Sequence, residues 1–392
     1  MPADEPTIQG AIDVAAPGDL VLVRPGTYEE TINFGGKPVT VASTRGPTRT
    51  FIDGAGAGSV VTFESGERRS SQLRGFTITG GDAGAGGGHS GGGVLIVDSS
   101  PRVVGNRITG NIACNAGGGI HVDDSSPLLK ENLVTHNHQE ECIGGVGGGG
   151  IAVVGEGSAR LVGNVIANNS WGSSGGGVTL FAAGTPVIRD NVVRDNVAGN
   201  NGGGFYIVNH SDARIVNNVV TRNAATEGGG FYVGVGQGDR GAALLNNTVV
   251  GNRSATGGAL YVGGFPHRMK VVNNIFMTRR GEAVACEDLR STEPPQLRYN
   301  DIKSHLGPET SGSCSAAVGV DGNISRLPGF VDVVGRDLRL GPGSPLVDAG
   351  TTTGVTLPPL DRFGLERVAD GDGDGAIVVD MGAHERPSQP AR

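Results

Sequence analysis

The densest run of groups able to move protons or hold charge lies between positions 121 and 141: His121, Asp123, Asp124, Lys130, Glu131, His136, His138, Glu140 and Glu141. Imidazole, ammonium and carboxylate groups this close could act as general acid and base, although charged corners are also ordinary solvated surface. A second set is marked by its spacing from asparagine. Arg102, Arg160, Arg214 and Lys270 each stand four residues before an asparagine, and Lys130 and Arg189 stand two before one. The residue between these offsets is apolar, so in a strand both cation positions point outward on one face. Such a row could hold a polyanion, or could solubilise a sheet face by pairing with neighbours such as Glu131 and Asp190. A third set is Asp370-Gly371-Asp372-Gly373-Asp374-Gly375, which places oxygen ligands at positions one, three and five and a turn glycine at six, as a calcium loop does. Met381 stands at position twelve, so Asp380 or Glu385 would have to complete the shell; a solvated acidic turn is the alternative reading.

The elements that position these residues are written in a repeat. Glycine triplets end at Gly93, Gly119, Gly150, Gly177, Gly204 and Gly230, and Gly257-Gly258-Ala259 closes the series, at intervals of 26 to 31 residues. An apolar, variable, apolar stretch follows them, as in Phe205-Tyr206-Ile207, which is the alternation of a short strand. Asn106, Asn132, Asn164, Asn191, Asn218, Asn247 and Asn274 mark a second corner. All but the last have another asparagine five residues on, where Arg279 stands instead. Three short strands per unit, separated by glycine or asparagine corners, suit one rung of a parallel β-solenoid with rungs ~4.8 Å apart. Of 392 residues, 71 are glycine and 20 proline, which disfavours helical repeats. Without a glycine at every third position the chain is not collagen, and 37% hydrophobic residues argues against disorder.

In this frame the asparagines read as amide ladders that satisfy buried backbone groups. One cation per rung on six of seven rungs becomes a track whose spacing is near the repeat of an extended sugar chain. The outward position of the strand after each triplet reads Leu95, His121, Ala152, Thr179, Tyr206, Tyr232 and Tyr261. Three adjacent tyrosines could form a sugar platform or simply a stabilising stack. Trp171, alone in its corner, could sit at a groove rim or cover a rung. Cys114 and Cys142, like Cys286 and Cys314, are 28 residues apart, one rung, within disulfide reach; this favours an oxidising compartment. The net charge of -8 provides no global field for nucleic acid, and no apolar run reaches the ~18 residues of a membrane-spanning helix. MPADEPTIQG has neither the basic nor the apolar region of a signal peptide and reads as a mature chain with a start Met added.

The pattern resembles the right-handed parallel β-helix family of pectate-lyase-like and carbohydrate-binding proteins over nearly the whole chain. Thr7-Ile8-Gln9-Gly10-Ala11-Ile12, then Pro17-Gly18-Asp19 and Arg24-Pro25-Gly26-Thr27-Tyr28, look like its capping helix and first rung. Pro328-Gly329-Phe330, Leu340-Gly341-Pro342-Gly343-Ser344-Pro345 and Asp348-Ala349-Gly350 look like its closing rungs. Val379-Asp380-Met381-Gly382-Ala383-His384-Glu385 is similar to the ending of bacterial surface proteins of the choice-of-anchor Q group. The chain lacks the Asp-Pro-His-Asp of mannuronan epimerases, the Gly-His-Gly of polygalacturonases and the Trp-x-Asp-His of pectate lyases.

The resemblance implies an all-β, three-sheet right-handed parallel β-helix: a cap over residues 1–16, rungs over 17–350, and an irregular segment with the Asp-rich loop over 351–392. It implies a secreted, surface or periplasmic protein, expected to be a monomer, acting on polysaccharide and leaning towards lyase-type cleavage of a uronate polymer. Lys130 or one of His121, His136 and His138 would then be the base, and Arg160 or Arg189 would steady the substrate carboxylate. Arg102, Arg214, Lys270, Tyr206, Tyr232, Tyr261 and Trp171 would bind substrate, and Asp370, Asp372, Asp374 and Asp380 calcium, with no organic cofactor. Hydrolysis would need two opposed carboxylates; Glu131 and Asp190, two rungs apart at ~10 Å, are wide even for inversion. A noncatalytic glycan-binding or adhesive module is the alternative, and a structural spacer a third reading.

Overall fold

The computed structural model describes residues 5–84, 90–139, 145–290 and 293–388. The apolar positions of the repeat turn inward and wind the chain into an all-β solenoid with three parallel sheets of eleven strands each. One rung shows the order: Arg160–Val162 in the first sheet, Val165–Ala167 in the second, Ser170–Trp171 in a small four-stranded fourth sheet, then Val178–Phe181 in the third. Inward residues of successive rungs are in register, for example Leu161 on Ile188 on Ile215, and form one continuous core. Phe205 and Phe231 stack inside it with centroids 4.7 Å apart. The helix Ile8–Val14 closes the first rung; Thr7 caps it, accepting from Gly10 N at 3.0 Å. It buries Ile8, Ala11 and Ile12 over an end that would otherwise expose the core.

Two amide ladders run along the corners. Between the first and second sheets, the Nδ2 of Asn106, Asn132, Asn164, Asn191, Asn218, Asn247, Asn274 and Asn300 each donates to the next asparagine's Oδ1, ending on Asn323. The second ladder runs from Asn111 to Asn252. The last place in that column has no ladder asparagine: Arg279, expected there, is exposed, while Thr278 before it is buried and its Cγ2 lies 2.6 Å from where a Cβ on Gly258 would stand. Glycine is required beside this ladder. A Cβ on Gly177 would lie 2.6 Å from Gly204 O and 3.0 Å from Asn196 Nδ2.

Parallel rungs end with Thr310–Gly312. The stretch expected to form closing rungs behaves differently: Phe330–Asp332 and Asp337–Leu340 make an antiparallel hairpin, and the chain folds back along the solenoid. Leu338 and Ala383 pack on Val219 and Val250 of the second sheet, while Val355 and Leu357 pack on Val216, Leu245 and Val272 of the first. The final motif is a plug. Residues 379–385 are buried, and a Cβ on Gly382, at φ +95°, would meet Ile275 Cδ1 at 2.7 Å. Cys286 and Cys314 form the expected disulfide, which ties the third sheet to the last corner. Cys114 is also disulfide-bonded; Cys142, its expected partner, lies outside the described residues.

Candidate functional site

The outward face of the first sheet carries the cations. Arg74, Arg102, Lys130, Arg160, Arg189 and Arg214 lie on six consecutive strands, and the register places them alternately in two columns: Arg74, Lys130 and Arg189 in one, Arg102, Arg160 and Arg214 in the other. Within a column successive cations are two rungs, roughly 10 Å, apart. The zigzag avoids placing like charges directly opposite, an arrangement that destabilises a sheet. Arg74, Arg102 and Arg160 are exposed; Lys130 and Arg189 are half-buried. Lys130 pairs with Glu131 at 3.1 Å, and Arg189 pairs with the adjacent Asp190. Burial holds the Asp190 carboxyl above its ordinary pKa even though Arg189 pulls the other way.

Further along, the returning segment lies over the same face. Arg214 donates to Thr356 O, Lys270 to Gly354 O at 3.0 Å and Arg298 to Thr353 O at 3.3 Å. Of the six cations expected to form the track, Arg214 and Lys270 therefore anchor this strap, and Arg102, Lys130, Arg160 and Arg189 do not. Arg74 and Arg298 were not anticipated. Asn300 stands two residues after Arg298 and would have marked it, but Phe76 takes the ladder position after Arg74 and hides the signal.

The histidines are scattered. His121 points outward from the third sheet but is only 6% exposed; burial lowers its pKa to about 4, and its Nδ1 has no partner among the described residues. It is not placed to act as a base for the cation face. His136 is in a corner after the second sheet, its Nδ1 2.8 Å from Thr135 Oγ1, and His138 is exposed in the fourth sheet. Glu140 and Glu141 lie outside the described residues. Asp123, half-buried, has its pKa raised by burial and by Asp124 and Asp98. Glu131 and Asp190 occupy the same corner two rungs apart.

The tyrosines stack as the repeat predicts, Tyr232 on Tyr261 at 4.8 Å and Tyr206 on Tyr232 at 5.4 Å, but on the third sheet, away from the cations. Tyr261 is 2% exposed, so only Tyr206 and Tyr232 offer surface. Trp171 is also 2% exposed, and its ring covers a rung where a rim position was the other reading.

The acidic loop is assembled differently from the expected set. Oxygens of Asp348, Asp370 and Asp372 lie within 4.8 Å of one another. Asp380 is buried, with Oδ1 accepting from Asp348 N and Oδ2 from Arg386 N. Asp374 accepts from Ala376 N. Asp348, Asp370 and Asp372 accept backbone N–H groups too, so what sets the trio apart is proximity: Asp348, remote in sequence, stands in the cluster and Asp374 and Asp380 do not.

Residues 92–276 match the family described as the right handed beta helix region, which agrees with the solenoid. Among solved structures, the pectate lyase Pel9A is similar over 97% of this chain and 90% of its own, at 16% identity and a TM-score of 0.50. A mannuronic acid specific family 6 polysaccharide lyase from human gut microbiota matches over 78% of this chain and 80% of its own (16% identity, TM-score 0.36). The family 6 alginate lyase AlyGC matches over 92% of this chain and 60% of its own (15% identity, TM-score 0.38). No curated protein sequence matches. Among the described residues no helix is long and apolar enough to cross a membrane.

Proposed function

We propose that this β-helix protein acts on an anionic, uronate-type polysaccharide by β-elimination. The observation that carries the reading is the zigzag from Arg74 to Arg214. Substituents of an extended sugar chain with two-fold character alternate from side to side, as these cations do, so each uronate carboxylate can meet one cation. The fold shared with a pectate lyase supports the reading at the level of architecture, and the Cys286–Cys314 disulfide supports an extracellular or periplasmic setting.

In the elimination, the C5–H and C4–O bonds break and a C4=C5 double bond forms. The C5 proton goes to a base on the protein, and the departing C4 oxygen takes a proton from a general acid or from water. Arg160 and Arg189, on adjacent strands, steady the carboxylate and the charge that develops on it as C5 loses its proton. Lys130, one strand before Arg160 and in the column of Arg189, is the base in its neutral amine form; on taking the C5 proton it becomes an ammonium paired with Glu131, and it passes that proton to the leaving oxygen or to water before the next turnover. Asp348, Asp370 and Asp372 offer three hard oxygen donors that fit calcium. The ion would neutralise the loop and stiffen it, away from the reacting sugar. Calcium should raise the melting temperature, with the rise lost in Asp372→Ala; no shift at millimolar calcium would remove the ion from the account.

The dispersal of the histidines favours a second reading, binding without cleavage. Ultraviolet absorbance of unsaturated product, screened over polygalacturonate, alginate and glucuronan, separates the two. A signal that falls at least about 100-fold in Arg160→Ala/Arg189→Ala is expected. Binding on a glycan array without any product would establish the second reading instead.

A further inference from the structure

One strand of the first sheet breaks the zigzag. Ala243 and Leu245 stand where every rung from Arg74 to Arg214 offers a cation, and the break forms the floor of a groove of about 810 Å³. Arg214 and Lys270 lie on the strands either side of Ala243 and share its column. Arg240 and Arg268 line the groove from the corner that precedes the first sheet, and Gly354 to Thr356 of the strap form part of its lining. The short side chain of Ala243, where neighbouring rungs carry a long cation, leaves the space open.

The charge balance here differs from that of the neighbouring rungs. Lys130 and Arg189 each have an adjacent carboxylate. None of Arg214, Arg240, Arg268 and Lys270 forms an ion pair among the described residues. The acid lining the groove, Asp212, uses its Oδ1 on the backbone N–H groups of Arg240 and Gly241, at 3.0 and 2.9 Å. The partners of the cations are neutral carbonyls: Thr356 O for Arg214, Gly354 O for Lys270 and Gly238 O for Arg268. Carbonyls orient these groups without cancelling their charge. Arg214 is partly desolvated as well, and burial lowers its pKa.

We infer that this groove is a binding site for a tetrahedral oxyanion, a sulfate or phosphate group, carried on the polysaccharide. Four cations against one carboxylate are more than a single uronate requires. A sulfate or phosphate ester presents three terminal oxygens in three directions, which suits donors converging from Arg214, Lys270, Arg240 and Arg268. The inference rests on the first sheet's face being the polyanion surface, and it adds that the polymer is esterified as well as carboxylated.

The experiment compares chondroitin sulfate with the same polymer chemically desulfated, by calorimetry at fixed ionic strength. The wild-type protein should prefer the sulfated form by about 10-fold. Arg240→Gln/Arg268→Gln, at exposed positions outside the catalytic face, should abolish that preference while keeping its affinity for the desulfated polymer. Arg68→Gln/Arg69→Gln, a charge-matched exposed pair outside the groove, should keep the preference. Inorganic sulfate and phosphate as competitors distinguish the sources: displacement only at high concentration identifies the ester as the ligand, and tight displacement that depends on Arg240 and Arg268 identifies the free ion at the same site. Equal wild-type binding of the two polymers, or a preference that survives in the groove variant or is lost equally in the control, overturns the proposal. Failure of the polyanion track itself would read out separately, as unchanged binding of desulfated polymer in Arg160→Ala/Arg189→Ala.

Discussion

Arg367 donates from Nη2 to Asn217 Oδ1 at 2.6 Å, joining two residues 150 positions apart and fastening the returning segment to a corner of the solenoid. Its Nη1 pairs with Glu385 Oε2 at 3.0 Å, and both side chains are 1% exposed. Burial, reinforced by Asp380, pushes the Glu385 carboxyl up to about 9, with Arg367 and the Asp380 backbone N–H on Oε1 opposing, so at neutral pH the side chain is a buried acid whose Oε2 accepts from the guanidinium. Arg367→Met would leave Gly382 O, Ala383 O, Asn217 Oδ1 and Glu385 Oε2 without this donor, at about 1–3 kcal/mol for each group left unpaired, so it should cost at least about 3 kcal/mol of docking free energy. Hydrogen exchange over residues 351–388 should accelerate by more than about 100-fold, while the rungs before Arg189 keep their protection. Adding Glu385→Gln to Arg367→Met should change little at pH 7, because the acid is already protonated there. Unchanged exchange in the single variant would mean the segment is held by its apolar contacts alone.

The ladder asparagines carry a different kind of load. Asn218 Nδ2 donates to Ile188 O, Val216 O and Asn247 Oδ1, and its Oδ1 accepts from the backbone N–H and side-chain amide of Asn191. Asn218→Ala would leave several of these groups buried and unpaired, at about 1–3 kcal/mol each. The expected loss, read from denaturant unfolding, is at least about 3 kcal/mol, well above that of an alanine at exposed Arg160. A loss below 1 kcal/mol would mean that water enters the corner.

How much of this was legible in the sequence follows from what repeats. The inward apolar column, the ladders and the stacked tyrosines recur every 26 to 31 residues, so each rung predicts the next and the sheet assignments follow. The cation offsets were legible for the same reason. Three things were not. Burial of His121, Tyr261 and Trp171 depends on what lies over a strand, and periodicity says only which face a side chain leaves from. The course of the returning segment is set by single contacts, such as Asn217 with Arg367 and Lys270 with Gly354, which have no period. Arg240 and Arg268 precede the first-sheet strands in corners of variable length, so no spacing rule picks them out.

Asp301 gives a pH dependence with a definite sign. Its side chain is fully buried, Oδ1 accepts from Arg326 N at 2.7 Å, and Oδ2 has no partner among the described residues. Burial raises its pKa from 3.8 to about 7. The folded protein thus holds a proton that the unfolded chain releases near pH 4. The contribution is fully present below that pH and is lost as the pH rises through about 7. Asp301→Asn mimics the protonated form, so it should match the wild-type melting temperature near pH 4 and exceed it at pH 8 by the equivalent of a few kcal/mol, on the order of 1.4 per pKa unit. Parallel melting curves across this range would show that the carboxylate finds a partner when ionised.

Asp190 tests the cation face through its own chemistry. It pairs with Arg189 and accepts from Asn217 Nδ2 at 3.2 Å, and Arg362 Nε reaches its backbone carbonyl at 3.3 Å. A polyanion that uses Arg189 must compete with this carboxylate and is repelled by it. Asp190→Asn keeps the corner geometry and removes the charge, so uronate-polymer affinity should rise by roughly 3- to 10-fold, the worth of one partly exposed ion pair. Because burial holds the Asp190 pKa above its ordinary value, the acid becomes neutral earlier than a surface aspartate as the pH falls. Wild-type affinity should therefore climb on mild acidification, while the polymer is still ionised, and the Asn variant should be flat over the same range. Weaker binding in Asp190→Asn would reverse the assignment: Asp190 would be positioning Arg189 for the substrate, and rescue by Asp190→Glu would confirm that role.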